Sequence, residues 1–470
     1  MIVIKYLAPE IFLSISVFSL LMIGVFFKNS FNLVYRLTIL VILLLFLLIL
    51  SNENEALKIF KESIEISNFS NFAKLLILLS SFFIIIMSKN YLVDIKNNKF
   101  EYPIIVLLSI LGMFIMVSAN DLIVFYLGLE LQSLSLYILA AIDRDNQRSS
   151  EAGIKYFVLS ALSSGLLLYG CSLIYGFTGS TNFEIISAES SYLNTGIIFG
   201  MVFILVGLAF KVSAVPFHMW TPDVYEGSPT SVTSFFSVVP KIAGLVVFIK
   251  FMYIPFNELI NQWQYILVFI SVASMILGAV AAIGQSNIKR LIAYSSIGHI
   301  GYAIAGISTG TENGFKSTLV YITIYAVMNI GAFAFIFLMR RGGKYIEDIN
   351  ELSGVSKNHP LMSLSLLVIL FSLAGVPPMA GFFAKFYIFM SVIEAKMFGL
   401  AIIGLVTTVV SAFYYIRIIK IMYFDDPKKP FEQPKDLATQ GSLIASSIFL
   451  ISFFLYPSII NEIVSKISLF

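Results

Sequence analysis

Long apolar runs divide this sequence, and short polar stretches separate them. A run of about 18 or more apolar residues can span the hydrocarbon core of a bilayer as an α-helix. Because such runs recur along the whole chain, the pattern predicts an all-α polytopic membrane protein. We count about 14 spans. They lie near 8–27, 31–50, 71–88, 102–119, 121–142, 153–176, 195–216, 229–253, 263–284, 288–307, 315–339, 361–394, 398–422 and 440–460.

Two of the spans are interrupted. Pro216 follows Lys211 in span 7, and span 12 is too long for one crossing and carries Pro377 and Pro378 near its middle. Corresponding interrupted helices in two halves of a chain indicate a transporter built from inverted repeats. We therefore predict two inverted five-helix repeats. The predicted divisions are accessory spans 1–3 in 1–100, spans 4–8 in 101–255, spans 9–13 in 256–424, and a loop with span 14 in 425–470.

Composition supports the membrane class and excludes several kinds of site. The chain has 470 residues, of which 58% are hydrophobic and 12% are charged, whereas soluble domains carry about a quarter charged residues. Cys171 is the one cysteine, so an internal disulfide and a cysteine-built metal or iron–sulfur centre are excluded. No long polar region could fold as a nucleotide or flavin domain. We expect no cofactor, no metal and no nucleic-acid partner for this chain.

Basic residues concentrate in the loops that follow odd-numbered spans. They are Lys28, Lys89, Lys96, Lys99, Arg144, Arg148, Lys289, Arg290, Arg340, Arg341, Lys344, Lys357, Lys428, Lys429 and Lys435. The other loops contain few basic residues, and 177–194 has none. Cytoplasmic loops of membrane proteins are enriched in lysine and arginine. The pattern therefore predicts that both termini lie on the external side.

Two oppositely charged residues lie within predicted spans. Glu130 is about nine residues into span 5, which places it about 14 Å deep, and Lys211 lies in span 7 next to the break. A charge at membrane depth is costly and by default marks a functional pathway with a partner. We predict that Glu130 and Lys211 pair. The competing interpretation of Lys211 is a side chain that extends to the membrane surface.

Three further ionisable residues lie within other predicted spans. Lys241 follows Pro240 in span 8 and has no acidic neighbour in its span; a lysine buried in this way can exchange a proton near neutral pH. Lys385 follows the break in span 12. The alternative interpretation of Lys385 is a side chain that anchors the helix at the membrane interface. His299 in span 10 is surrounded by serines, tyrosines and glycines, which favours a hydrated path as much as a structural role. Lys155 and His218, near span ends, are secondary candidates.

A mechanism follows as a hypothesis. While Glu130 and Lys211 are paired, Lys211 holds its proton. An event outside this chain that draws Glu130 away removes that compensation, and the protonated Lys211 then repels a proton toward Lys241. The proton continues through water and His299 toward Lys385 and the external side. These groups would titrate as a coupled set.

Five motifs resemble a known family. They are Leu129-Glu-Leu-Gln-Ser-Leu-Ser-Leu-Tyr-Ile-Leu139, the Ala209–Pro229 stretch, Pro240-Lys-Ile-Ala-Gly244, Asn287-Ile-Lys-Arg-Leu-Ile-Ala-Tyr-Ser-Ser-Ile-Gly-His299 and Gly381-Phe-Phe-Ala-Lys-Phe-Tyr387. On these residues the chain is similar to the antiporter-like membrane subunits of respiratory complex I, the NADH-quinone oxidoreductase. The resemblance implies that Glu130, Lys211, Lys241 and Lys385 form a proton path. It also implies that NADH, FMN, iron–sulfur clusters and quinone bind to other subunits, where quinone reduction drives pumping.

The resemblance is strongest to the subunit N branch. Subunit M is expected to carry a glutamate where this chain has Lys385, and subunit L is expected to continue beyond span 14 into a lateral helix. The implied partners are the other membrane-arm subunits, including M, K and the lateral helix of L, within the inner membrane of a bacterium. Two rival functions stay open. One is a subunit of a multi-subunit cation/proton antiporter, and the other is a non-transporting scaffold of the membrane arm.

Overall fold

The structure is a computed structural model that describes residues 5–51, 56–191, 194–433 and 436–468. Lys435, one of the predicted cytoplasmic basic residues, lies outside these described residues. The chain is almost entirely helical. Its first half contains α1 (Ala8–Phe26), α2 (Phe31–Leu50), α3 (Asn68–Asp94), α4 (Glu101–Ser118), α5 (Leu122–Ala140), α6 (Gln147–Thr178), α7 (Phe183–Ser190), α8 (Thr195–Val212), α9 (Trp220–Gly227) and α10 (Thr230–Tyr253).

The second half repeats the pattern of long helices with one interruption. It contains α11 (Ile260–Ile283), α12 (Ile288–Ser308), α13 (Glu312–Leu338), α14 (Val355–Asn358), α15 (Pro360–Ala374), α16 (Ala380–Glu394), α17 (Phe398–Phe424), α18 (Leu437–Ser452) and α19 (Ser458–Ser465). Two short antiparallel hairpins lie in the loops. They are formed by β1 (Leu57–Ile59) with β2 (Ile64–Ile66), and by β3 (Arg340–Arg341) with β4 (Lys344–Tyr345).

The predicted all-α membrane class is confirmed. Within the described residues, 12 helices are long and apolar enough to cross a membrane. The two halves of the broken span 12, α15 and α16, and the shorter apolar helix α18 account for the other predicted spans. Polar side chains at the helix starts satisfy the free amides there. Asp121, for example, accepts hydrogen bonds from the backbone amides of Ile123 and Val124 at the start of α5.

Two predicted spans were wrong at their ends. Span 7 was expected to run to residue 216, but α8 ends at Val212, where Ser213 adopts a left-handed φ of 68°. Span 14 was expected to continue to residue 460, but α18 ends at Ser452 and a new short helix begins after Pro457. In both places apolar residues continue past the helix end, so hydrophobicity alone does not mark it.

Helix α10 lies at the centre of the molecule. Every one of its residues is buried, including Pro240 and Lys241. By contrast, α1 and α2 leave many large apolar side chains exposed, as expected for helices that face lipid or neighbouring chains. The fold therefore surrounds the span that carries Lys241 with other helices.

Glycines allow two helix pairs to approach closely at corresponding places in the predicted repeats. A Cβ on Gly112 of α4 would lie 2.7 Å from the Gly128 carbonyl of α5, and a Cβ on Gly278 of α11 would lie 2.5 Å from the Gly298 amide of α12. These are the first two helices of each predicted five-helix unit. The recurrence agrees with the repeat hypothesis, while the boundaries at 101–255 and 256–424 stay a prediction.

We predict that Gly278→Ala destabilises the subunit, because the added methyl would overlap backbone atoms of α12. Overpacking of this kind costs about 1–3 kcal/mol. The measurement is the temperature at which this subunit leaves the detergent-solubilised complex. Gly165→Ala in α6 is the matched control, since its Cβ would meet nothing within 4 Å. Equal midpoints for the two variants would contradict the close packing.

Candidate functional site

Lys211 lies in the last turn of α8 and is held by hydroxyl groups. Its Nζ donates hydrogen bonds to Ser133 Oγ at 2.7 Å and to Ser160 Oγ at 2.8 Å, and it lies 3.5 Å from Tyr137 Oη. Tyr137 in turn donates to Ser160 at 2.6 Å. The lysine therefore points into a polar cluster between α5, α6 and α8 rather than toward a membrane surface.

The backbone at the first break finds side-chain partners. The Trp220 indole donates to the Phe210 carbonyl at 3.1 Å, and Ser274 Oγ accepts from the Val215 amide at 2.9 Å. Irregular backbone at membrane depth is tolerated only where such groups are satisfied by protein or by a water-filled cavity. Pro216 lies in this connection between α8 and α9. Specific hydrogen bonds thus stabilise the break, which ends α8 one residue after Lys211.

The structure does not show the predicted Glu130–Lys211 ion pair. No contact of 4.0 Å or less joins their charged atoms, and the buried Glu130 Oε1 has no hydrogen-bond partner among the described residues. Glu130 and Ser133 are three residues apart on α5 and so share one face of that helix. Ser133, which binds the ammonium together with Ser160, is therefore offset from Glu130 by about 4.5 Å of backbone rise along α5.

Lys241 is 1% exposed and has no carboxylate partner in the described part of the chain. Its Nζ donates to Ser296 Oγ and lies 5.3 Å from the centroid of the Tyr225 ring. Ser296 Oγ is 2.6 Å from Tyr325 Oη. An isolated ammonium in such surroundings is costly unless it is paired. The polar contacts of Lys241 are all neutral groups.

His299 is buried with both ring nitrogens near tyrosine hydroxyls. Its Nδ1 is 2.6 Å from Tyr321 Oη, and its Nε2 is 3.4 Å from Tyr415 Oη. The His299 ring centroid lies 5.5 Å from that of Tyr325, the tyrosine that contacts Ser296. The imidazole therefore lies beside the cluster that holds Lys241.

Lys385 occupies the second break. Its Nζ donates to the Leu373 and Ala374 carbonyls, each at 3.1 Å, at the C-terminal end of α15. A cation is favoured there by the helix dipole. Gly375, with a φ of 84°, makes room for the side chain, since a Cβ would lie 3.1 Å from Lys385 Cδ. Because Lys385 is 4% exposed, it lies inside the protein rather than at an interface. Pro377 and Pro378 follow in the connection to α16.

A continuous chain of side chains links Lys241 to Lys385. Beyond His299, the Tyr302 ring centroid lies 6.2 Å from the imidazole centroid, and Lys385 Nζ lies 4.9 Å from that same tyrosine ring. The order of contacts is Lys241, Ser296, Tyr325, His299, Tyr302 and Lys385. The structure thus brings three of the predicted site residues together.

Lys211 is not joined to this chain by a direct hydrogen bond in the described structure. The ring of Tyr137, which lies near the Lys211 ammonium, contacts Tyr156, and Tyr156 stacks on Trp220 with ring centroids 4.4 Å apart. Among the described residues, several buried hydroxyls in this part of the sequence have no hydrogen-bond partner: Ser163, Ser213 and Thr221. Such groups are ordinarily satisfied by ordered water, so this region suits a hydrated connection.

The secondary candidates lie away from the chain. Lys155 has a side chain that is 43% exposed and forms ion pairs with Glu151 at 2.8 Å and Asp223 at 2.9 Å. His218 lies between Pro216 and α9, is partly exposed, and its Nδ1 has no partner among the described residues. Neither side chain contacts the three buried lysines.

Sequence reasoning missed three other buried lysines with acidic partners. The pairs are Lys74–Glu10 at 2.6 Å, Lys250–Glu65 at 3.5 Å and Lys289–Glu347 at 2.7 Å. Lys74 and Lys250 lie within predicted spans, so a search for every lysine in an apolar run would have found them. Their partners lie far away in the chain, and no local pattern points to them.

The described residues contain no group of three or more histidine, cysteine, aspartate or glutamate side chains that could hold a metal ion. A family model described as NADH:quinone oxidoreductase/Mrp antiporter, TM, matches residues 119–411. The NADH-quinone oxidoreductase subunit N of Pelagibacter ubique (strain HTCC1062) is 56% identical over 467 residues, covering 99% of each chain. The chain belongs to the NADH-quinone oxidoreductase subunit N family. This confirms the predicted resemblance, including the choice of subunit N among its siblings.

Solved structures share this fold. A chain of respiratory complex I from Thermus thermophilus superposes with a TM-score of 0.83 at 28% identity, covering 97% of this chain and 98% of that one. A chain of the Mrp complex from Dietzia sp. DQ12-45-1b gives a TM-score of 0.86 at 18% identity, covering 98% of this chain and 96% of that one. The second likeness shows the fold alone.

We predict that Lys241→Met leaves the subunit at least as stable, because an unpaired buried ammonium has a desolvation cost that an apolar side chain avoids. Lys289→Met is the matched control: Lys289 is as deeply buried but is paired with Glu347 and the Ser228 carbonyl. Its loss should lower stability. The thermal dissociation midpoint of the subunit from the solubilised complex measures both, and a larger loss for Lys241→Met would contradict the prediction.

Proposed function

We propose that this subunit of NADH-quinone oxidoreductase translocates protons through Glu130, Lys211, Lys241, His299 and Lys385, driven by quinone reduction in other subunits. The observation that carries the proposal is the burial of Lys241 at the centre of the fold with only neutral partners. A purely structural subunit would gain stability by replacing this lysine with an apolar residue. A role in taking up and releasing a proton would explain why a lysine occupies this position.

The contacts beyond Lys241 suit proton transfer. The Ser296 and Tyr325 hydroxyls are each able to donate and to accept a hydrogen bond, and they lie 2.6 Å apart. An imidazole can take up a proton on one nitrogen while releasing one from the other, and both nitrogens of His299 lie near tyrosine hydroxyls. The chain ends at Lys385, where the α15 carbonyls stabilise the ammonium.

In this proposal, the position of the Lys211 ammonium depends on whether it is paired with Glu130. In the described arrangement its ammonium binds Ser133 and Ser160, and no close ion pair joins it to Glu130. We propose that the side chain moves between this hydroxyl position and a position paired with Glu130. In the hydroxyl position the ammonium lacks a close ion pair and disfavours a proton on Lys241. In the paired position the repulsion is reduced and Lys241 can reload.

The proposed setting follows the sequence analysis. The basic loops are expected to face the cytoplasm and both termini the external side of a bacterial inner membrane. Subunits M, K and the lateral helix of L are the proposed neighbours. NADH, FMN, iron–sulfur clusters and quinone are proposed to bind elsewhere in the complex. The apolar side chains exposed on α1 and α2 supply surfaces for lipid or for such neighbours.

The first rival function is cation/proton antiport. No site among the described residues favours it. The Mrp likeness is one of fold, at 18% identity. A sodium site requires several oxygen ligands, usually with negative charge, whereas the polar contacts of Lys241 and Lys385 are with hydroxyls, aromatic rings and carbonyls. The second rival, a non-transporting scaffold, is tested by the Lys241→Met experiment.

The experiment is Lys241→Met in the assembled complex, reconstituted in sealed vesicles. Proton translocation is followed with a pH-sensitive dye while NADH oxidation by quinone is measured in parallel. We expect proton translocation to fall at least tenfold, a loss of about 1.4 kcal/mol or more in transition-state stabilisation, and electron transfer to fall with it.

Lys250→Met is the matched control. Lys250 lies on the same helix and is 2% exposed, but it is paired with Glu65 outside the proposed chain. This variant should translocate protons at the normal ratio to electrons. Normal pumping by an assembled Lys241→Met complex would refute the proposal and support the scaffold function.

A further inference from the structure

Arg36 lies on the exposed face of α2, within a stripe of apolar side chains. Leu33, three residues before it, and Leu40, four residues after it, are exposed and share that face. Arg36 itself is exposed and is the only charged residue of α2. Further along the helix the same face consists of exposed leucines: Leu43, Leu44, Leu47 and Leu50. A single cation therefore stands in a face that is otherwise suited to hydrocarbon.

The composition of α2 favours lipid over a neighbouring helix as the surroundings of this face. Helix interfaces within membranes are enriched in small residues, which let two backbones approach closely. Helix α2 contains no glycine, alanine or serine, and its one threonine, Thr38, is fully buried and donates to the Val34 carbonyl. The leucine face of α2 therefore suits acyl chains better than a packed helix.

Lys89 of α3 lies at nearly the same depth as Arg36. Arg36 is five residues from the start of α2 and Lys89 is five residues from the end of α3, which is about 7.5 Å of helix rise in each case. The two helices pack against each other, and the Tyr35 hydroxyl donates to the Ile85 carbonyl at 2.8 Å. Lys89 is one turn beyond Ile85 and faces the same way. Both basic side chains thus lie at one end of this helix pair.

Lys28 adds a third positive charge at this end, in the connection between α1 and α2. Among the described residues, none of the three charged groups forms an ion pair or a hydrogen bond. The buried lysines Lys74 and Lys250, by contrast, each have a carboxylate partner. A cation on a membrane-facing surface is costly unless its side chain extends to the interface and meets an anion there. We call Lys28, Arg36 and Lys89 the basic edge.

We propose that the basic edge binds the headgroup phosphate of an anionic phospholipid, whose acyl chains lie along the leucine face of α2. A guanidinium can bind phosphate through two parallel N–H···O hydrogen bonds. The apolar stem of Arg36 covers the helix surface while its charged end reaches headgroup level. Three cations without a carboxylate partner favour a lipid of net negative charge over a zwitterionic one. This lipid site lies on α1–α3, outside the proposed proton path.

Photolabelling of the assembled complex tests the site. The purified complex is reconstituted in phosphatidylcholine vesicles that contain a trace of one probe, either phosphatidylglycerol or phosphatidylcholine, with a photoactivatable acyl chain. Labelling of α2 is read by mass spectrometry of this subunit and expressed as the ratio between the two probes. The exposed apolar face of α17 is the internal reference. Lys420→Gln in α17 is the matched control variant, since Lys420 is also exposed but is paired with Asp425 at 3.5 Å.

We expect the phosphatidylglycerol probe to label α2 at least about fivefold more than the phosphatidylcholine probe, because one basic contact with an anionic headgroup contributes about that factor. Arg36→Gln should lower this preference about fivefold, whereas Arg36→Lys should keep part of it and Lys420→Gln should leave it unchanged. In the wild-type complex, about 1 M salt should weaken the preference by screening the charges. That measurement does not depend on the folding of any variant.

Equal labelling of α2 by the two probes in the wild-type complex at low salt would overturn the proposal. So would a preference that both Arg36→Gln and Lys89→Gln leave intact, because other residues would then create it. Absence of α2 labelling by both probes, while α17 is labelled, would show that another protein chain covers this face and would equally refute the lipid site.

Discussion

The cost of burying Lys241 is the constraint on which the rest of this structure depends. An ammonium without a carboxylate partner is expensive inside a membrane protein, and the described structure gives this one a serine hydroxyl and a tyrosine ring. The fold encloses it completely, because every residue of α10 is buried. In the proposed mechanism, the neutral hydroxyl groups around Lys241 carry the proton that it releases and takes up.

The two broken helices place free backbone groups inside the protein, which unbroken helices would not do. Each break frees backbone groups near a lysine, and the structure satisfies them in different ways. At the first break, Trp220 and Ser274 take up backbone groups and Lys211 is left to hydroxyls. At the second, Lys385 itself binds the free carbonyls of α15. Lys211 is thus bound by side-chain hydroxyls beside the first break, whereas Lys385 is bound by backbone carbonyls at the second.

Much of the fold could be predicted from the sequence, because the length of an apolar run determines whether it spans a membrane. The site was predicted less completely. Lys241 and Lys385 stand out as charges in apolar runs, but the hydroxyl partners of Lys211 lie on two other helices, and no local pattern specifies how those helices pack. For the same reason Glu10 and Glu65 could not be assigned to Lys74 and Lys250. The end of α18 before Pro457 was missed because apolar residues continue through it.

The most direct test of the central claim is Lys241→Arg in the assembled complex. Arginine keeps the positive charge but stays protonated at any physiological pH. The measurement is the number of protons translocated per NADH oxidised, together with the rate of quinone reduction. The account predicts that both the translocation rate and the linked electron transfer collapse although the charge is retained. A normal proton-to-electron ratio at a normal rate would contradict it, because Lys241 would then serve as a fixed charge rather than as a proton carrier.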